Sequence, residues 1–170
     1  MILFARGHSS LYEIPIDRNE TKARYLRCLY ELTPLTQRGH RLLQVLADLD
    51  GSPGYFFNPE HYDYAGPTLQ DIAQIRLESL PEQEVFLIQW ISLLQDSEKV
   101  LKASLLLEAV HLQQGIDGVR RLARRWGSRQ PRGFRYLLEL LEQDQGYAEI
   151  AEAAQEALKE LPDGLYMRPP

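Results

Sequence analysis

Glu60, His61, Tyr62 and Asp63 follow one another in a chain of 170 residues, the only local cluster of acid, imidazole and phenol groups in it. Carboxylates beside a histidine are the groups that ligate a metal or pass a proton. The same grouping arises by chance in a polar loop, so a solvated loop and a ligand site both stay open. The other histidines, His8, His40 and His111, are scattered, and no HExxH or paired-cysteine spacing occurs. Cys28 is the single cysteine. Flanked by Arg27 within an apolar helical stripe, it is expected to be buried and inert, with no histidine to activate it. His111 is expected at the boundary of an amphipathic helix. Phosphate cradles of the GxxxxGK[ST] type, or GxGxxG after a strand, are absent from the sequence. Neither a cofactor nor a catalytic residue is assigned, and a binding role is favoured over an enzymatic one.

Charge is the more telling chemistry. Seven arginines and no acid fall within 119–135: Arg120, Arg121, Arg124, Arg125, Arg129, Arg132 and Arg135. The whole chain carries a formal net charge of −5 from 19 basic and 24 acidic residues. Without the run, 12 basic residues face those 24 acids, a net of −12. Segregation of this kind marks a surface for a partner. Guanidinium groups pair carboxylate and phosphate bidentately. An acidic protein is therefore one candidate partner and a nucleic acid another, the second disfavoured because an acidic chain repels polyphosphate at long range. A third reading needs no ligand: Glu149, Glu152, Glu156 and Glu160 form a stripe on the last predicted helix and could neutralise the arginines within the chain.

These residues must be held by helices. With 44% hydrophobic and 25% charged residues the composition is globular, and one domain is expected. Residues 1–18 read as irregular or as short edge strands, since Pro15 cannot donate in a sheet interior. Asn19 is a plausible N-cap for a helix with Tyr25, Leu26, Leu29, Tyr30 and Leu32 on its stripe. Thr33-Pro34 opens a second, burying Leu42, Val45, Leu46 and Leu49. Thr68 with Asp71 opens a third to about residue 80. Ser79-Leu80-Pro81-Glu82 has capping-box spacing for a fourth over 82–95, apolar on several sides and expected to be central. A fifth ends at Gln114 before Gly115. Three more follow over 117–126, 131–145 and 147–161.

The long loop 50–67 holds three prolines, three glycines and five of the sixteen aromatic residues. Either it packs as a lid on the core, or Tyr55 and Phe57 with Glu60, His61, Tyr62 and Asp63 form a ligand loop.

The last four predicted helices match themselves at an offset of 31 residues. Leu106 pairs with Leu137, Leu107 with Leu138, Glu108 with Glu139, Gln114-Gly115 with Gln145-Gly146, Val119 with Ile150 and Ala123 with Ala154. Such helix pairs bury their faces by stacking. Phe134, Leu137, Leu141, Tyr147, Ile150, Ala154, Ala157 and Pro162 resemble the pattern of a tetratricopeptide repeat, well over 131–162 and loosely over 100–127. It departs from that pattern at Leu138, where the family prefers a small residue. The resemblance implies an α-solenoid-like module that binds peptides or partner helices.

The sequence therefore predicts an all-α domain of seven or eight helices. An N-terminal layer over 19–95 is followed by two degenerate hairpin repeats over 96–162 and a tail, 163–170. Its expected role is a protein–protein interaction scaffold or adaptor, with a nucleic-acid-associated factor and a small-ligand protein or enzyme as alternatives. The lone cysteine suits a reducing, cytoplasmic setting, and no stretch approaches the length of a membrane span. The ending Arg168-Pro169-Pro170 fits a piece of a larger protein as well as a complete one.

Overall fold

The computed structural model describes residues 18–50, 66–95 and 100–161. Among these are seven α-helices and no strand: α1 (Arg18–Leu32), α2 (Leu35–Asp50), α3 (Leu69–Gln74), α4 (Gln83–Leu94), α5 (Val100–Trp126), α6 (Arg132–Gln143) and α7 (Tyr147–Glu160). A 3-10 turn, Gly127–Arg129, joins α5 to α6. The fold is all-α, as the periodicity predicts. The expected strands before residue 18, most of the aromatic loop and the tail lie outside the described residues. No described helix is long and apolar enough to cross a membrane.

Packing runs along the chain. Helix α1 lies on α2 and α3, α2 on α4, α4 on α5, α5 on α6, and α6 on α7. One cluster of buried side chains runs through them, from Leu26 and Tyr30 through Phe86 and Trp90 to Leu106, Leu137 and Ala153. Phe86 stacks on Trp90 at 5.5 Å and meets Tyr30 edge-on at 4.9 Å, both geometries that the ring quadrupole favours.

Helix α5 is two helices joined by a sharp reversal. Gly115 sits at φ 66°, ψ −164°, which only glycine adopts readily. A Cβ added to Gly118 would lie 3.0 Å from Val110 Cγ1 and against Gln114 Cβ. Eight residues of unbroken helix span about 12 Å, so arms 100–114 and 116–126 fold back antiparallel. The first arm is the enclosed one: Ala103, Leu105, Leu106, Leu107, Ala109 and Val110 are all buried. Helix α4, expected to be central and apolar on several sides, lies between α2 and α5 and buries Phe86, Leu87, Trp90, Ile91 and Leu94, but leaves Val85 and Ile88 at least half exposed.

The turn from α6 to α7 is built differently. Gly146 N donates to Leu141 O and Gln145 N to Glu142 O, the paired bonds of a Schellman motif. Its left-handed residue is Gln145, φ 58°, not a glycine. Helix α6 lies against both arms of α5, and its Gly133 meets Ala123 so closely that a Cβ would come within 2.9 Å of Ala123 Cα.

Several expected boundaries shift, and two buried arginines from distant parts of the chain account for them. Helix α3 starts at the Thr68–Asp71 capping box but stops at Gln74, short of residue 80. Buried Arg27 takes over: its guanidinium donates to Ala73 O at 3.3 Å, Glu78 O at 3.0 Å and Ser79 O at 3.3 Å, while Nε donates to Glu31. Carbonyls bound by Arg27 are removed from a helical ladder. Arg38, also buried, ties down the next step, donating to Thr33 O, Pro81 O and Glu82 Oε2 with its guanidinium 4.3 Å from the centre of the Tyr30 ring. Because Glu82 serves Arg38, the expected capping box does not form. Glu82 sits at the N-cap of α4 with φ 55° and makes no side-chain cap.

The stripe on α1 is rotated from expectation. Its buried face is Ala23, Leu26, Arg27 and Tyr30, whereas Tyr25 and Leu32 are exposed. Cys28, expected to be buried, is exposed; it lies two residues from both Leu26 and Tyr30, about 200° around the helix from each. Asn19 falls inside the first turn, since α1 begins at Arg18.

Candidate partner-binding edge

The seven arginines do not share one edge; the fold distributes them. Arg120 and Arg124 lie one turn apart on the second arm of α5 and face α7. Arg120 Nη2 is 3.8 Å from Glu149 Oε2, and Nη1 is 3.7 Å from Glu152 Oε2. Those distances are too long for direct hydrogen bonds, so the attraction is coulombic. Arg124 Nε donates to Glu156 Oε1 at 2.6 Å, and that bond holds the guanidinium pKa above its ordinary value. The three contacts run in the same order along both helices, so the second arm of α5 and α7 lie parallel. Arg120 keeps only 15% of its side chain exposed.

Arg121, Arg125 and Arg129 form the other stripe. All three are exposed. Arg121 Nη2 donates to the Gln114 side-chain oxygen at 3.1 Å, and Arg129 Nη2 donates to the Arg125 carbonyl at 3.1 Å. Among the described residues, none of the three is paired with a carboxylate.

Arg121 and Arg125 stand at the mouth of a groove of about 240 Å³ between α4 and the two arms of α5. Its floor is Ile91, Leu106, Val110 and Leu122, and its rim adds Gln95 and Gln114. Gly118 opens that groove, because any side chain there would collide with Val110 and Gln114.

No protein family, curated protein or solved structure matches this chain.

Arg132 and Arg135 belong to a third place, a cleft of about 320 Å³ among α3, the first arm of α5 and α6. Arg135 Nε donates to Glu139 Oε1 at 2.9 Å. The cleft is organised around Glu108, whose Oε1 accepts from Gln70 N at 2.9 Å at the start of α3. Burial raises the Glu108 pKa above its ordinary value, opposed by the backbone bonds from Leu69 and Gln70, with Asp71 nearby adding to the rise. Burial likewise pushes the Tyr136 hydroxyl up to about 12, helped by Glu108 and Glu139. His111, half-buried as expected of a boundary residue, meets Tyr136 edge-on with ring centres 6.3 Å apart.

Reading the sequence misses Glu108, Tyr136 and the groove floor as site-forming residues. One signal was available: Glu108 is the lone acid between Leu105-Leu106-Leu107 and Ala109-Val110, where burial on all sides is implied. The groove has no such signal, because it depends on a reversal that brings Val110 to Gly118. The candidate ligand loop, Tyr55, Phe57, Glu60, His61, Tyr62 and Asp63, lies outside the described residues. Among the described residues, no three His, Cys, Asp or Glu side chains gather as a metal site requires.

Proposed function

We propose that this protein is a protein–protein interaction module whose binding edge is the outer stripe Arg121, Arg125 and Arg129. One observation carries the reading: of two arginine stripes on the same arm, one is compensated by α7 glutamates and the other meets no carboxylate among the described residues. Exposed Arg121 and Arg125, one helical turn apart, and Arg129 in the 3-10 turn that follows attract acidic groups. The partner is an acidic protein segment.

The tetratricopeptide-like reading belongs to the same proposal. It is supported by two successive antiparallel helix pairs, by burial of both Leu106 and Leu137 at equivalent positions, and by parallel packing of the second arm on α7. Repeats that stack in this way offer an extended surface to a partner.

The test is a photo-crosslinking residue in place of Ser128, exposed between Arg125 and Arg129, irradiated in cells making the protein. Crosslinked proteins that disappear when Arg121 and Arg125 are replaced by glutamate support the reading. Crosslinks to nucleic acid alone, or none, overturn it.

A further inference from the structure

We infer that the outer stripe receives an acidic amphipathic helix, anchored by one apolar side chain in the groove between α4 and the arms of α5; this rests on the partner-binding reading above. The first argument comes from inside the chain. Helix α7 is itself an acidic amphipathic helix seated on arginines: Glu149, Glu152 and Glu156 face Arg120 and Arg124, while Ala153 and Ala157 are buried beneath. The inner stripe therefore displays its own complement. The outer stripe repeats the i, i+4 spacing one residue later, with Arg121 and Arg125 about 5–6 Å apart at Cβ. Glutamates one turn apart on an incoming helix match that separation.

The second argument is the groove. Its floor is apolar through Ile91, Leu106, Val110 and Leu122, and its volume of about 240 Å³ admits one large side chain. Among the described residues no carboxylate lines it, whereas Glu108 and Glu139 line the cleft on the other side of α5. An apolar floor with two arginines and two glutamines at its mouth fits a helix whose apolar residue is flanked by acids. A nucleic acid uses the arginines but leaves the floor empty. This is helix-in-groove recognition in its smallest form, with a single anchor in place of a row.

The experiment measures binding of the full chain to a helical alanine-based peptide carrying two glutamates four residues apart and one leucine between them, at low salt. Three comparison probes accompany it: the leucine replaced by serine, the glutamates replaced by glutamine, and a single-stranded oligonucleotide. The inference predicts that serine weakens binding at least about tenfold. It further predicts that Arg121→Gln with Arg125→Gln abolishes binding, and that Gln95→Glu, a surface change at the rim, weakens it several-fold. Circular dichroism of each variant establishes that it is folded. If the leucine and serine peptides bind equally but both need Arg121 and Arg125, the groove anchor is wrong and the arginine-stripe reading stands. If no acidic peptide binds, or only the oligonucleotide does, both fall.

Discussion

Arg120 and Arg121 are neighbours in the chain, yet the first faces Glu149 and Glu152 and the second donates to the side-chain oxygen of Gln114. A helical turn of about 100° per residue is enough to separate them, and the same holds for Arg124 and Arg125. Arg124→Gln should therefore lower the melting temperature, and a double-mutant cycle with Glu156→Gln should show favourable coupling. Arg125→Gln should leave the melting temperature unchanged. Glu108 supports a prediction of opposite character. Its folded pKa is raised, so between the ordinary carboxylate value and the raised value the folded protein keeps a proton that the unfolded chain has lost. Stability should fall as pH rises across that window. Glu108→Gln, which retains an oxygen to accept from Gln70, should flatten the dependence; parallel melting curves for variant and wild type from acid to neutral pH would show that burial does not govern this group. At Gln145, a left-handed backbone on a residue with a Cβ is strained. Gln145→Gly should stabilise the chain by about 0.5–1 kcal/mol in a denaturant titration.

Elements were legible where a local signal meets no competing tertiary contact. Thr68 with Asp71, Gly115 and Gly146 mark a start, a reversal and a turn, and all three act in the fold close to where their residue types place them. Boundaries controlled by distant groups were not legible. The early end of α3 and the missing capping box at α4 come from Arg27 and Arg38, which reach about fifty residues along the chain to bind carbonyls. The rotated stripe on α1 has the same origin: a buried arginine takes a place that a hydrophobicity pattern assigns to apolar residues. The contact between α5 and α6 is equally a tertiary matter, and it is testable. Gly133→Ala drives a Cβ to within 2.9 Å of a backbone atom, Ala123 Cα. It should destabilise by about 1–3 kcal/mol. Gly146→Ala, where the nearest neighbour lies 3.7 Å away, should cost far less. Equal midpoints for the two variants would mean that α5 and α6 are not held at this separation.

Over the whole molecule, the segregation of positive charge was visible in composition, but its partition was not. A linear run of seven arginines becomes three environments: α7 glutamates, the groove beside α4, and the cleft around Glu108. Only an antiparallel reversal in α5 and a parallel packing of its second arm on α7 produce that division, and neither can be counted from charges along a chain. Under the proposed function the same division separates structure from binding. The inner stripe is engaged by α7 and the outer stripe is the one proposed to meet a partner, so two pairs of substitutions in adjacent positions should have opposite consequences. The direct measurement is melting temperature and acidic-peptide affinity, taken together, for Arg120→Gln with Arg124→Gln and for Arg121→Gln with Arg125→Gln. The first pair should lower the melting temperature and keep the affinity, and the second should keep the melting temperature and lose the affinity. Equal effects of both pairs on both quantities would contradict the division.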